Sequence, residues 1–239
     1  MLAVAARVLA QLRRDPRTLA LIVGVPMLLE TLLKEIFAAP SLVFQHVGAP
    51  LLGLFPFVTM FLVTSITMLR ERTSGTLERL MASPLRKLDL LGGYAAAFAV
   101  VAVLQASAVS ALAFGALGLD VSGPKEIVTA LAVGNAVLGT ALGLFVSAFA
   151  ETEFQAVQFM PAIVFPQILL CGLLVSRASM APWLRWISDA LPLTYAYDAL
   201  AHTASNTLDA RFAVDVAVIC GCIFLALSLG AATLRRRTG

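Results

Sequence analysis

"MLRERTSGTLERLMASP", Met68 to Pro84, gathers Arg70, Glu71, Arg72, Glu78 and Arg79 into one short segment between two long apolar runs. That contrast decides the fold. Hydrophobic residues make up 60% of the 239 and charged residues only 13%, and the mean hydropathy is +0.92. A soluble domain is about half apolar and about a quarter charged. The chain is therefore expected to be an all-α integral membrane protein, with this segment as a break between spans.

A helix needs about 20 apolar residues to cross a bilayer. Six runs meet that length: Thr18–Phe37, Pro50–Leu69, Leu88–Leu117, Ile127–Ala150, Phe154–Val175 and Phe212–Leu234. The third exceeds one crossing, so it is expected to tilt or to continue past the membrane surface. The chain reads as a single transmembrane domain, 1–239, with a surface helix over 1–17, a bundle over 18–234 and a basic tail over 235–239. Twelve of the 17 Lys and Arg residues fall on one side if both termini are cytoplasmic, among them Arg7, Arg70, Arg86 and Arg235. Lys34, Lys125, Arg177, Arg185 and Arg211 fall on the other. Positive charge accumulates inside, so N-in, C-in is expected, in the cell (inner) membrane.

The first fourteen residues place Leu2, Ala5, Leu9 and Leu12 on one helical face and Arg7, Gln11 and Arg14 on another. That pattern predicts an amphipathic helix on the membrane surface, with Asp15-Pro16 turning into the first span. Arg7, Arg13 and Arg14 also stand where a signal peptide would be apolar, so no cleavable signal is expected. Between spans five and six, Trp183 and Trp186 suit the membrane–water interface. Leu184, Ile187, Ala190 and Leu191 predict a short helix there, stopped by Pro192, and a second is expected around Tyr195–His202. The net charge of +3 comes with no basic face interleaved with aromatics, which argues against a nucleic-acid partner. Cys171, Cys220 and Cys222 lie in apolar runs and suggest neither disulfides nor a metal site.

Within the opening segment, Ser74 suits a helix cap and Glu78 the positive end of a helix dipole. Leu77, Leu80 and Met81 form an apolar patch at helical spacing, and Pro84 ends the helix. So short a helix needs something to pack on. The choices are the membrane surface or a groove on a partner protein.

"RERTSGTLERLMASP" resembles the signature of ABC type 2 exporter permeases, drug- or antibiotic-exporter-like. "PWLRWISDALPLTYAYDAL" resembles the same family before its last span. Ala201 stands where the family often has Arg, and "LLETLLKEIF" is more charged than its usual first span. The resemblance implies a permease that works as a dimer, with a second copy or a related permease, and pairs with a cytoplasmic ABC ATPase subunit. Gly75, Thr76, Leu77, Glu78, Leu80 and Met81 would form the coupling helix that docks on the ATPase. Glu71 and Arg72 would steady it at the inner end of span two. Glu151 and Glu153 would lie in a second cytoplasmic loop facing the ATPase. The chain lacks a Gly-x-x-x-x-Gly-Lys-Ser/Thr motif. It is therefore not expected to be an enzyme or to hold a cofactor, with ATP and Mg bound by the partner. The substrate implied is a hydrophobic or amphipathic drug, antibiotic or lipid, with a lipid-linked glycan as the alternative.

Glu30 and Lys34, at i and i+4 in span one, read as a local ion pair or as part of the translocation route. Pro161 and Pro166 are expected to kink span five, and Gln158 nearby faces either a helix or a substrate. Phe57, Phe61 and Phe165, with Phe55 and Phe159, are packing residues or the lining of an apolar pocket. Two readings of another class are an intramembrane metalloprotease, from His202 and Asn206, and a scaffold that moves nothing. The first lacks the Glu-Glu pair that such sites need.

Overall fold

The computed structural model describes residues 1–37, 42–76, 87–207 and 209–233. Among them every regular element is helical: α1 (Leu2–Arg13), α2 (Pro16–Ile36), α3 (Leu42–Thr73), α4 (Lys87–Gly115), α5 (Lys125–Val146), α6 (Glu153–Phe159), α7 (Phe165–Leu170), α8 (Pro182–Asp189), α9 (Pro192–Ala204) and α10 (Ala210–Thr233). Five helical stretches are long and apolar enough to cross a membrane: Val43–Thr73, Asp89–Gly115, Lys125–Phe149, Glu153–Leu170 and Ala210–Thr233. α2 is not among the five. It has 21 residues and carries Arg17, Glu30, Lys34 and Glu35. The basic tail lies outside the described residues.

α5 is the centre of the bundle and packs on α3, α4, α9 and α10. Its contact with α3 is the closest because Gly139 and Gly143 present bare backbone one turn apart. A Cβ at Gly139 would lie 2.2 Å from the Phe57 carbonyl oxygen, and one at Gly143 would lie 2.5 Å from that of Phe61. Small residues at this spacing let two helices approach until their backbones touch.

α1 packs on a face wider than expected, with Ala5 buried and Leu9 and Leu12 half-buried in one cluster. Val4, Ala5 and Val8 are buried against Leu90, Leu91 and Tyr94 of α4, whereas Leu2 is 86% exposed. Gly93 makes the approach possible, since a Cβ there would lie 2.6 Å from the Val4 Cβ. The extra length of the third apolar run is thus the platform on which α1 sits. Asp15 then caps α2, accepting from the Thr18 N–H at 3.2 Å, with Pro16 in the first turn.

α3 begins well before the expected Pro50 and takes in His46, which lies outside the six expected spans. Pro50 and Pro56 sit inside it. The expected fifth span is interrupted. Pro161 and Pro166 remove two backbone donors five residues apart, and Met160–Val164 between α6 and α7 winds as a π turn. The helix stops at Leu170, short of the expected Val175, and Gly172 follows at φ +106°, open to glycine at little cost. α8 and α9 fold back beneath this end. Ser188 Oγ donates to the Leu170 carbonyl at 2.8 Å, and Thr194 Oγ1 donates to that of Ser188 at 2.8 Å. α9 starts at Pro192, earlier than expected, because proline suits the first helical turn. Trp183 and Trp186 on α8 are 60% and 77% exposed.

Candidate functional site

The opening segment leaves α3 at a corner built by three arginines. Gly75 adopts φ +71°, a left-handed residue that ends the helix. Ser74 belongs to this turn, its hydroxyl against the Glu71 carbonyl at 3.4 Å and Thr76 Oγ1 at 3.0 Å. Gly75 and Thr76 are the last described residues here; Leu77, Glu78, Leu80 and Met81 lie outside them.

One turn earlier, Glu71 is only 9% exposed and accepts from Arg7 of α1 at 3.0 Å. The Arg7 guanidinium also donates to the Tyr94 hydroxyl of α4 at 2.5 Å and lies over the Tyr94 ring, 5.9 Å from its centroid. Arg7 therefore points inward, not along the polar face with Gln11 and Arg14. α1, α3 and α4 meet at this charge-assisted cluster. Arg72 donates to the Ser147 carbonyl at the end of α5, 2.8 Å away. Arg70 makes a two-pronged pair with Glu153, at 2.7 and 3.0 Å, on the surface. Glu153 is the first residue of α6, not a loop residue, and suits the positive end of that helix. Thr152 caps α6 by accepting from the Gln155 N–H, and the Glu151 N–H donates to the Gln155 side chain at 2.8 Å.

A second feature faces outward from the bundle. Leu21, Val25 and Leu29 of α2, Phe55 and Val58 of α3, and Phe165 of α7 line an apolar groove of about 550 Å³. Phe57 and Phe61 do not reach it. They are fully buried among α3, α5 and their neighbours. Gln158 and Glu151 share a shallower hollow of about 410 Å³ with Phe149 and Phe159. Glu30 lies on the inward stripe Ile22, Pro26, Glu30 and is fully buried, with no hydrogen-bond partner on either carboxylate oxygen. The i, i+4 ion pair with Lys34 does not form, although both residues are described.

The family model of ABC-2 type transporters matches residues 1–204, which hold both features. The chain belongs to the ABC-2 type transporter family. It is a multi-pass membrane permease of that family. It is similar to "ABC transporter G family member 20" of Dictyostelium discoideum, 25% identical over 173 residues, 72% of this chain and 24% of that protein. It is also similar to "Probable multidrug ABC transporter permease YbhR" of Escherichia coli strain K12, 29% identical over 181 residues, 71% of this chain and 49% of that protein. The chain thus spans half or less of the curated relatives it matches.

Three of the permease's corner residues are not singled out by sequence reasoning: Tyr94, Arg70 and Ser147. Tyr94 has a local signal, since Gly92-Gly93 just before it marks a close approach of backbone. The pairing of Arg70 with Glu153 has none, because 83 positions separate them. At the opposite end of the bundle, Arg177 bonds Asp198 at 2.7 Å and also holds Asp189. Burial pushes the Asp198 carboxyl above its ordinary range, and Arg177 only partly offsets this. His202, considered above as a metal ligand, stands 3.7 Å from Asp215. Asn206 closes α9 at φ +55°, a left-handed turn that asparagine tolerates.

Proposed function

We propose that the chain is the membrane subunit of an ATP-driven exporter, powered by a separate ABC ATPase that docks on a coupling helix over Gly75–Ser83. α2 is the first of six spans, and both termini are cytoplasmic. The α1 corner is then the inner end and the α8–α9 pair the outer end. The observation that carries the reading is the buried Arg7–Glu71–Tyr94 cluster immediately before Gly75. It ties the root of the docking segment to α1 and α4, while Arg72 and Arg70 tie it to α5 and α6. A push on this segment reaches four helices at once. Glu71 and Arg72 hold the angle of the coupling helix, and Glu151 and Glu153 present the neighbouring edge of the ATPase platform.

The substrate is a hydrophobic or amphipathic drug, antibiotic or lipid. The apolar groove beside Phe165 supports this, because its wall offers almost no polar group to a hydrophilic cargo. A second permease copy closes the groove from the open side. The test is co-purification of the chain with its cognate ATPase, followed by ATP hydrolysis across a panel of lipids and drugs in proteoliposomes. Stimulated hydrolysis with an amphipathic compound supports the reading. A chain that recruits no ATPase overturns it.

A further inference from the structure

A cavity of about 720 Å³ opens at the α8–α9 end, between the α7–α8 connection, α9, α10 and the start of α3. Its wall carries three guanidinium groups, Arg177, Arg185 and Arg211, and three carboxylates, Asp189, Asp198 and Asp215. The two signs balance, yet they do not all satisfy one another. Arg177 holds Asp189 and Asp198, and its Nε is left without a partner. Arg185 is committed to the carbonyls of Ala178 and Met180. The Arg211 side chain is exposed to the cavity and makes no hydrogen bond or ion pair among the described residues. Asp215 is only 6% exposed, and its Oδ2 has no hydrogen-bond partner. His202 Nδ1, 3.7 Å away, is equally unpartnered and too distant to bond it.

A buried carboxylate oxygen without a donor is costly, and each such group calls for a partner. Here the wall offers an acceptor that lacks a donor and donors that lack an acceptor. A purely anionic ligand would meet Asp215, and a purely cationic one would meet Arg211. A ligand with one charge of each sign satisfies both. Its apolar part also has a place to go. Leu174 at the cavity edge is 62% exposed, and Val175 beside it is 52% exposed.

We propose that this cavity binds a zwitterionic headgroup, with its phosphate on Arg211 and its ammonium on Asp215. The proposal goes beyond the export reading and is tested without ATPase or nucleotide, so either can fail alone. Trp183 and Trp186 are the only tryptophans and stand on α8, which helps to build the cavity wall, so their fluorescence reports binding to the full chain in detergent. Dihexanoyl-phosphatidylethanolamine should bind saturably and about tenfold more tightly than the phosphatidylglycerol analogue, the difference expected for one charged hydrogen bond. Asp215→Asn should abolish that preference. Arg211→Gln, at an exposed position that does not burden folding, should weaken both lipids by about tenfold. Competition by free phosphoethanolamine assigns the site to a soluble zwitterion, and its failure to compete assigns it to the lipid; both outcomes support a zwitterion site. Equal affinity for phosphatidylethanolamine, phosphatidylglycerol and an uncharged glucoside overturns the proposal, as does unchanged binding in Arg211→Gln.

Discussion

Glu71→Gln keeps the shape of the side chain and removes its charge. Arg7 then loses its ionic partner at 3.0 Å but keeps the Tyr94 hydroxyl at 2.5 Å. The two side chains are 31% and 11% exposed, so the pair is largely withdrawn from water. Breaking a fully buried pair costs about 3–5 kcal/mol, and an exposed pair contributes about 0–1 kcal/mol. With one of two Arg7 partners surviving, we expect about 2 kcal/mol, between those limits. The protein carries its own reference. Arg70–Glu153 makes two contacts, at 2.7 and 3.0 Å, where Arg7–Glu71 makes one, but its side chains are 65% and 54% exposed. Two double-mutant cycles, Arg7→Gln with Glu71→Gln and Arg70→Gln with Glu153→Gln, separate each pair from its surroundings. They are read by unfolding of the purified chain in mixed micelles. The inner pair should show a coupling of about 1–2 kcal/mol and the surface pair about 0.5 kcal/mol or less. Equal couplings would refute the argument from burial. With the ATPase bound, Glu71→Gln should retain basal hydrolysis and lose its stimulation by substrate; full stimulation would remove this corner from the mechanism.

Leu80→Asp should stop the ATPase from co-purifying while the permease still inserts, since a docking hot spot contributes about 2 kcal/mol or more; normal recovery would place docking elsewhere. In whole cells, Trp183→Cys should react with an impermeant thiol reagent and Glu78→Cys should not, and the reverse pattern would invert the proposed topology. Gly139→Ala should destabilise the chain severely, because its Cβ would reach 2.2 Å from the Phe57 carbonyl oxygen, whereas the Cβ of Gly134→Ala meets nothing within 4 Å and should be neutral. Similar expression and melting of the two variants would show that the α3–α5 contact is looser than described.

The membrane class and the positions of most long helices are legible in the sequence because apolar length is a local property. The end of α3 is not, because the apolar run stops at Leu69 whereas the helix continues to Thr73 before Gly75 turns the chain. The face of α1 is legible only in part. Ala5, Leu9 and Leu12 pack inward as their periodicity implies, but Gly92-Gly93 on another helix decides that Val4 and Val8 join them and Leu2 does not. Glu30 and Lys34 satisfy every local rule for an ion pair, and the packing of α2 withdraws the carboxylate instead. The pairing of Arg7 with Glu71 depends on three helices at once, and no window along the chain contains them. His46 falls outside the expected second span for a simpler reason: a polar residue ahead of Pro50 reads as loop, yet proline is tolerated within a long helix when neighbours support it.

The π turn at Met160–Val164 has a consequence for everything beyond it. A π turn spans one more residue than an α turn, and each residue advances an α-helix by about 100°. Phe165 and Ile168 therefore stand about 100° out of phase with the helix that α6 alone would have continued. They reach the apolar groove through that angular offset, not through their own identity. An even α winding with Ala162 deleted would return every side chain of α7 to its present azimuth, whereas an even α winding with Ala162 kept would swing the whole set by about 100°. The shape of the groove is thus stored in the winding of the residues between two prolines.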